Sequence, residues 1–261
     1  MQIIGELING MYKKVGNAIK EADPKPIKAL ALAQIEAGAN CLDVNCGPAA
    51  KNQVEAFKWL IETIREVTPV KLVIDTTNLE AMEAALQKEP QSIINSTTAD
   101  PQKMKEVFSL ALKYNSEVIA LAMDKKGIPR NKEERLELAA GIITYCSQID
   151  FDLNKLYLDP VILPVNVAQA QAGEVVEAVR DFKILSTPPP KTVVGLSNIS
   201  QGTYQRSLIN RIYLVMLIEA GLDAAILDPL DKNLMQAMIT TELLMNKHIY
   251  CDSFLEAYKN K

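Results

Sequence analysis

Eight short apolar runs alternate along the chain with segments whose apolar residues recur at helical spacing, and this alternation constrains the fold more than any single motif. The runs are IIGELI (3–8), CLDVN (41–45), KLVID (71–75), SIINS (92–96), VIALAM (118–123), KLYLD (155–159), TVVGLSN (192–198) and AAILD (224–228). Neighbouring parallel strands need a long crossover, usually a helix, so strict alternation implies a parallel sheet. The 261 residues are close to the roughly 250 of a (β/α)8 TIM barrel. An open doubly wound sheet uses the same units but brings a Gly-rich phosphate loop after its first strand. Here the first run ends in Glu6, Leu7, Ile8, Asn9 and Gly10 instead. The expected fold is an α/β (β/α)8 barrel forming a single domain over residues 1–261, since the chain has no linker long enough to separate domains.

Helix punctuation accompanies the pattern. Thr77 with Glu80 reads as a capping box for a helix running toward Gln87, and Asn131 with Glu134 as a weaker one. A helix expected over 169–185 precedes Pro188, Pro189 and Pro190, which lack the amide hydrogens a helix needs.

Charge and composition narrow the partners. A net charge of −4 and a pI near 5.3 offer no basic field for nucleic acid. No apolar stretch has the length of a membrane span, and the start MQIIGELING lacks the layout of a secretory signal. A soluble, cytoplasmic protein with small-molecule or protein partners is expected. The four cysteines, Cys41, Cys46, Cys146 and Cys251, are expected to be thiols, and the C-x-x-x-x-C of Cys41 and Cys46 has no second Cys/His pair to complete a zinc site.

Nearly every run ends in a carboxylate or amide: Glu6 and Asn9, Asp43 and Asn45, Asp75, Asn95, Asp159, Asn198 and Asp228. Such residues often cap a following helix. In this set, however, Thr77 is the expected cap beyond Asp75, and Asp159 precedes a proline. In a barrel these ends converge on the face where catalytic groups sit. The single histidine, His248, falls beyond the eighth unit, so neither a His-rich metal site nor a Ser-His-Asp triad can be assembled. Carboxylates and amides without histidine suit a flat heterocycle with alternating donors and acceptors, such as a pterin or a guanine.

The runs GELINGM (5–11), LDVNCGPA (42–49), IDTTN (74–78), INST (94–97), YLDPVILPVNVAQ (157–169), VGLSNISQ (194–201), INR (209–211) and YCDSF (250–254) resemble the methyltetrahydrofolate:corrinoid/iron-sulfur protein methyltransferases of acetogenic carbon fixation. That family belongs to the pterin-binding barrels, with dihydropteroate synthase and the folate module of cobalamin-dependent methionine synthase. The resemblance implies methyl transfer from methyltetrahydrofolate to the Co(I) centre of a corrinoid/iron-sulfur protein in the reductive acetyl-CoA (Wood-Ljungdahl) pathway, by a homodimer, with the cobalamin supplied by the partner. It further implies that Asp75, Asn95 and Asp159 hold the pterin ring and that Asn198 bonds N5, the atom carrying the methyl. Gly195 and Ser197 would line the same wall, and Gln201 and Arg206 would lie nearer the folate tail or the partner. Glu6 and Asp43 are assigned supporting roles.

A tertiary amine leaves poorly, so its nitrogen must be protonated or strongly hydrogen-bonded as the C–N bond breaks. Asn198 can stabilise that charge but is no acid, so the proton is expected through water held by the carboxylates, foremost Asp75. Three other readings compete, the weakest a metal-dependent barrel aldolase or hydrolase, which the carboxylates alone could support but the missing histidines and absent Schiff-base lysine oppose. A dihydropteroate synthase needs cations for departing pyrophosphate, yet the seventh run continues as SNIS where that family carries a lysine-bearing segment. A non-catalytic folate-binding barrel would bind without methyl loss. Residues near 231–245, with Met235, Met238 and Met245, read either as core or as a dimer contact.

Overall fold

The computed structural model describes residues 1–48, 50–248 and 250. Cys251 and the stretch of YCDSF beyond Tyr250 lie outside the described residues, as does Ala49. Eight strands, β1 (Gln2–Asn9), β2 (Cys41–Asn45), β3 (Lys71–Asp75), β4 (Ile93–Thr98), β5 (Glu117–Leu121), β6 (Leu156–Asp159), β7 (Lys191–Gly195) and β8 (Ala224–Leu227), pair in parallel in sequence order. β8 returns to β1 with Gln2 opposite Ala224, which closes the barrel. The expected TIM barrel is the fold observed.

The crossovers carry α1 (Lys13–Glu21), α2 (Pro24–Glu36), α3 (Gln53–Arg65), α4 (Leu79–Lys88), α5 (Pro101–Tyr114), α6 (Lys132–Gln148), α7 (Val165–Ala168), α8 (Gln171–Phe182), α9 (Arg206–Glu219) and α10 (Lys232–Leu244). Local chemistry sets several starts. Asp23 and Asp100 accept backbone amides ahead of Pro24 and Pro101, whose missing amide hydrogen costs nothing in the first turn. Two sequence expectations shift. The cap of α4 is Asn78, which accepts from Ala81 N at 3.1 Å, not Thr77; the helix begins one residue later than the box requires, leaving Glu80 a position short of closing it. The segment expected as one helix over 169–185 divides into α7 and α8 and ends at Phe182. Met235 and Met238 are 8% and 4% exposed and belong to the core, which leaves only Met245 of the three partly exposed. Asn131 does cap α6, accepting from Glu134 N at 2.9 Å.

Side chains alternate across a strand with period two, and that period stacks three layers inside the barrel. Ile4, Cys41, Val73, Ile93, Ile119, Tyr157, Val193 and Ala224, one from each strand, make an apolar ring. Two residues toward the strand starts, Lys71, Glu117 and Lys191 face inward and pair with one another and with the Tyr157 hydroxyl, sealing that end. Two residues the other way, the same faces present Glu6, Asp75, Asn95, Asp159 and Gly195. The strand residues of opposite parity, such as Leu42, Leu72, Ile74 and Val194, pack outward against the helices.

The loops after β1 and β2 touch backbone to backbone. A Cβ added to Gly10 would lie 2.2 Å from the Cys46 carbonyl oxygen, and Gly47 opposite it has φ 60, in the left-handed region that glycine tolerates. Gly10→Ala is therefore expected to cost about 1–3 kcal/mol through overpacking, read as a Tm lowered by several degrees in a circular dichroism melt. An unchanged melt would contradict this contact.

Candidate functional site

At the strand C-termini the inward residues form two linked networks. On one side, Asn45 donates from Nδ2 to Asp75 Oδ2 at 2.7 Å while its own oxygen accepts from Gly47 N at 2.6 Å. Both ends of the Asn45 amide are thus used, and Asp75 Oδ1 is left without a protein donor among the described residues. Beside it, Asn95 donates from Nδ2 to Asp43 Oδ1 at 3.1 Å. That bond orients the amide so that the Asn95 oxygen faces the opening. Asp43 is level with Val73 in the strand register, deeper than its neighbours, and 3% exposed. It forms the floor. Asp159, 8% exposed, completes the set; its Oδ1 accepts from Val161 N at 2.7 Å, and Oδ2 remains open.

The arrangement leaves three acceptor oxygens at the strand C-termini, from Asp75, Asn95 and Asp159, without protein donors among the described residues. A ring edge carrying N–H and NH2 donors satisfies such a set, whereas an edge of acceptors would be repelled. Burial raises the proton affinity of all the carboxyls. Asp159 is pushed up to about 7 by desolvation, against the Val161 bond and the Arg135 charge. Asp43 is raised by burial and then by the neighbouring Asp75 charge, and Asp75 by burial against its bond from Asn45.

Across the mouth, Glu6 accepts from Ser197 Oγ at 2.7 Å. Burial pushes Glu6 up to about 7, opposed by the Ser197 bond and reinforced by Asp228. Ser197 and Asn198 belong to a single 3-10 turn (Leu196–Asn198) directly after β7. Gly195 makes room for that turn: a Cβ there would meet Asn198 Nδ2 at 3.0 Å. The Asn198 side chain is exposed and has no hydrogen-bond partner among the described residues. Arg206, the first residue of α9, reaches back to Ser200 Oγ and the Ser197 carbonyl, both at 3.2 Å, and bounds the rim beside exposed Gln201.

The structure therefore brings Asp43, Asp75, Asn95 and Asp159 to one half of the mouth and Glu6, Gly195, Ser197 and Asn198 to the other, with Gln201 and Arg206 outside them. Asn45, a strand-end amide to which the sequence assigned no role in the pocket, is the residue that holds Asp75. His248 lies at the opposite end of the barrel, 3.4 Å from Glu242, which also takes the amino group of Met1 ahead of β1. A cavity of about 550 Å3 runs between α2 and α10, lined by Met1, Glu242 and His248 at that end and by Pro229, Leu230 and Lys232, just beyond β8, at the other. Cys41 and Cys46 flank the length of β2 and cannot share one ion.

Residues 12–228 match the pterin binding enzyme family. The chain belongs to that family. A methylcorrinoid:tetrahydrofolate methyltransferase of Eubacterium limosum is 29% identical over 266 residues, covering 99% of this chain and 96% of that one. A methionine synthase of Mycobacterium leprae is 27% identical over 238 residues, 86% of this chain but 20% of that much longer protein. Among solved structures, Yersinia pestis dihydropteroate synthase with a pterine-sulfa conjugate superposes with a TM-score of 0.68 at 15% identity, covering 95% of this chain and 94% of that one. The Xanthomonas albilineans dihydropteroate synthase, in complex with 7,8-dihydropteroate, gives 0.64 at 16% identity over 94% and 92%. At such identities the likeness is one of fold. Among the described residues no helix is long and apolar enough to cross a membrane.

Proposed function

We propose that this pterin-binding barrel, acting as one domain over residues 1–261, is a methyltransferase between the N5 of 5-methyltetrahydrofolate and the cobalt of a corrinoid/iron-sulfur protein. The observation that carries the reading is the acceptor set of Asp75, Asn95 and Asp159 facing a free amide at Asn198. A pterin presents ring N–H and exocyclic NH2 donors along one edge and N5 on the far side of its bicycle, which suits acceptors on one half of the mouth and a donor–acceptor amide on the other. Full-length similarity to a methylcorrinoid:tetrahydrofolate methyltransferase supports the same chemistry.

In this reading Asp75, Asn95 and Asp159 bind the pterin, with Asp43 fixing Asn95 from below. Gly195 and Ser197 line the wall at N5, and Gln201 and Arg206 meet the folate tail or the partner. The reduced corrinoid, carried by the partner protein, supplies the nucleophile for the methyl carbon. Asn198 stabilises the nitrogen as the C–N bond breaks. The proton comes through water held by the carboxyls: Asp75, as the sequence suggests, and Glu6, which holds a proton near neutral pH and is tied to the turn carrying Asn198. A cytoplasmic homodimer serving the reductive acetyl-CoA pathway completes the proposal. The name of the Eubacterium limosum relative runs from methylcorrinoid to tetrahydrofolate. Both directions share one transition state, so the same residues serve either.

A dihydropteroate synthase reading is less well supported, because departing pyrophosphate calls for cations where Leu196, Ser197 and Asn198 follow β7. The deciding experiment mixes the protein with 5-methyltetrahydrofolate and a reduced corrinoid/iron-sulfur protein, and in parallel with tetrahydrofolate and the methylated partner, and follows the cobalt absorbance. Methyl transfer in neither direction would overturn the proposal. Asp75→Asn is expected to weaken folate binding about 10–100-fold by replacing a charged acceptor with a neutral one, measured by calorimetry.

A further inference from the structure

α6 buries Ala139, Ile142, Ile143 and Cys146 along one stripe, and one turn toward its start that stripe carries Arg135. Arg135 is fully buried, with 0% exposure. Its Nε donates to the Pro160 carbonyl at 2.8 Å, one terminal nitrogen to the Asn131 carbonyl at 3.0 Å and the other to Gln171 Oε1 at 2.8 Å. No carboxylate is in ion-pair contact with it among the described residues. A buried cation paired only with neutral oxygens is a poor source of stability, so the segment it holds gives its purpose.

Pro160 directly follows Asp159. The next residue, Val161, has φ 65, a left-handed conformation that a β-branched residue rarely adopts. In that conformation its N–H reaches Asp159 Oδ1 at 2.7 Å. That N–H and the Pro160 carbonyl belong to one planar peptide unit, so whatever holds the carbonyl also holds the donor. Strain of this kind persists only where the surroundings over-determine it, and the tether on the Pro160 carbonyl is such a constraint.

We propose that Arg135 is a positioning residue for Asp159: it clamps the turn of Pro160 and Val161 so that Val161 N–H holds one carboxylate oxygen and the other faces the ligand. The charges around this pair agree with the geometry. Glu174, Tyr213 and Glu134 face the guanidinium, and Arg135 is the charged group that opposes the desolvation of Asp159. The inference rests on the folate reading only for its binding arm.

The test compares the whole protein with Arg135→Met and Arg135→Lys. In the ligand-free state, the carboxyl 13C titration of Asp159 is expected to move upward by about half a pH unit or more in both variants, because neither keeps the guanidinium's three-bond hold on the peptide unit whose N–H favours the ionised form. Affinity for 5-methyltetrahydrofolate is expected to fall about 10–100-fold, with turnover at saturation within about threefold of wild type. In an Asp159→Ala background, which leaves nothing to position, Arg135→Met is expected to add no further loss, whereas a general packing defect would multiply the two. If Arg135→Met does not fold, Arg135→Lys, which keeps the charge but not the guanidinium fork, carries the test. An unmoved Asp159 titration in the variants that fold, or losses that multiply, would overturn the clamp. A shifted titration in a protein that binds no reduced folate would leave the clamp standing and remove the folate reading.

Discussion

Asn198→Ala is expected to lower the rate of methyl transfer by about 10²–10⁴-fold, the range for loss of a group that manages a proton or charge in the transition state, while folate affinity changes little. The difference follows from where Asn198 stands. In the proposed reading the pterin-edge contacts come from the other half of the mouth, where Asp75, Asn95 and Asp159 are anchored by Asn45, Asp43 and Val161. Asn198 has no protein hydrogen bond of its own to lose among the described residues, so its truncation leaves the fold intact. In the same reading its amide offers an oxygen to a protonated N5 and an NH2 to a neutral one, an interaction that would strengthen as the C–N bond breaks. A group that acts mainly at that stage changes turnover more than binding. Rapid mixing of saturating methyltetrahydrofolate with reduced corrinoid protein, read at the cobalt absorbance, gives the rate, and calorimetry gives the affinity. An unchanged rate, or a loss confined to affinity, would remove Asn198 from the chemistry.

The layers of the barrel were legible in the sequence because strand periodicity is strict. Within KLVID, the period of two places Lys71, Val73 and Asp75 on one face, and the structure finds them at the sealed end, the apolar ring and the mouth. Pairing between strands was not legible. Whether Asp43 meets Asn95, and Asn45 meets Asp75, depends on the stagger of neighbouring strands, with Asp75 opposite Asn95, and no single strand carries that information. The cap of α4 missed by one residue for a related reason: Thr76, Thr77 and Asn78 are all competent caps, and packing of the helix chose the last. Arg135 left a trace in the pattern of α6. Extending the apolar stripe of that helix back by one turn lands on it, and a charge on a buried stripe points to something that must be held.

Asp159→Asn is expected to stabilise the protein above neutral pH while weakening its binding of folate. Burial pushes the Asp159 carboxyl from its ordinary 3.8 up to about 7 in the folded chain. Below about pH 4 the carboxyl is protonated whether the chain is folded or not, and burial carries no electrostatic penalty. Between about 4 and 7 the folded chain keeps a proton that the unfolded chain sheds, so stability falls as pH rises. Above 7 the penalty is complete, and a shift of about three pH units corresponds to roughly 4 kcal/mol. Asparagine keeps an oxygen for Val161 N–H without ever ionising. The variant's advantage in denaturant unfolding should therefore be near zero at pH 4, grow through pH 6 and level off above pH 7, and subtracting its profile from the wild-type one removes the parallel titration of Glu6. A flat difference would mean that Asp159 ionises in place without cost. The functional side runs the other way: an anion accepting from ring donors binds more strongly than a neutral amide, so the variant should hold methyltetrahydrofolate about 10–100-fold less tightly at pH 8. Greater stability with poorer binding is the expected mark of a carboxylate buried for its ligand and not for the fold.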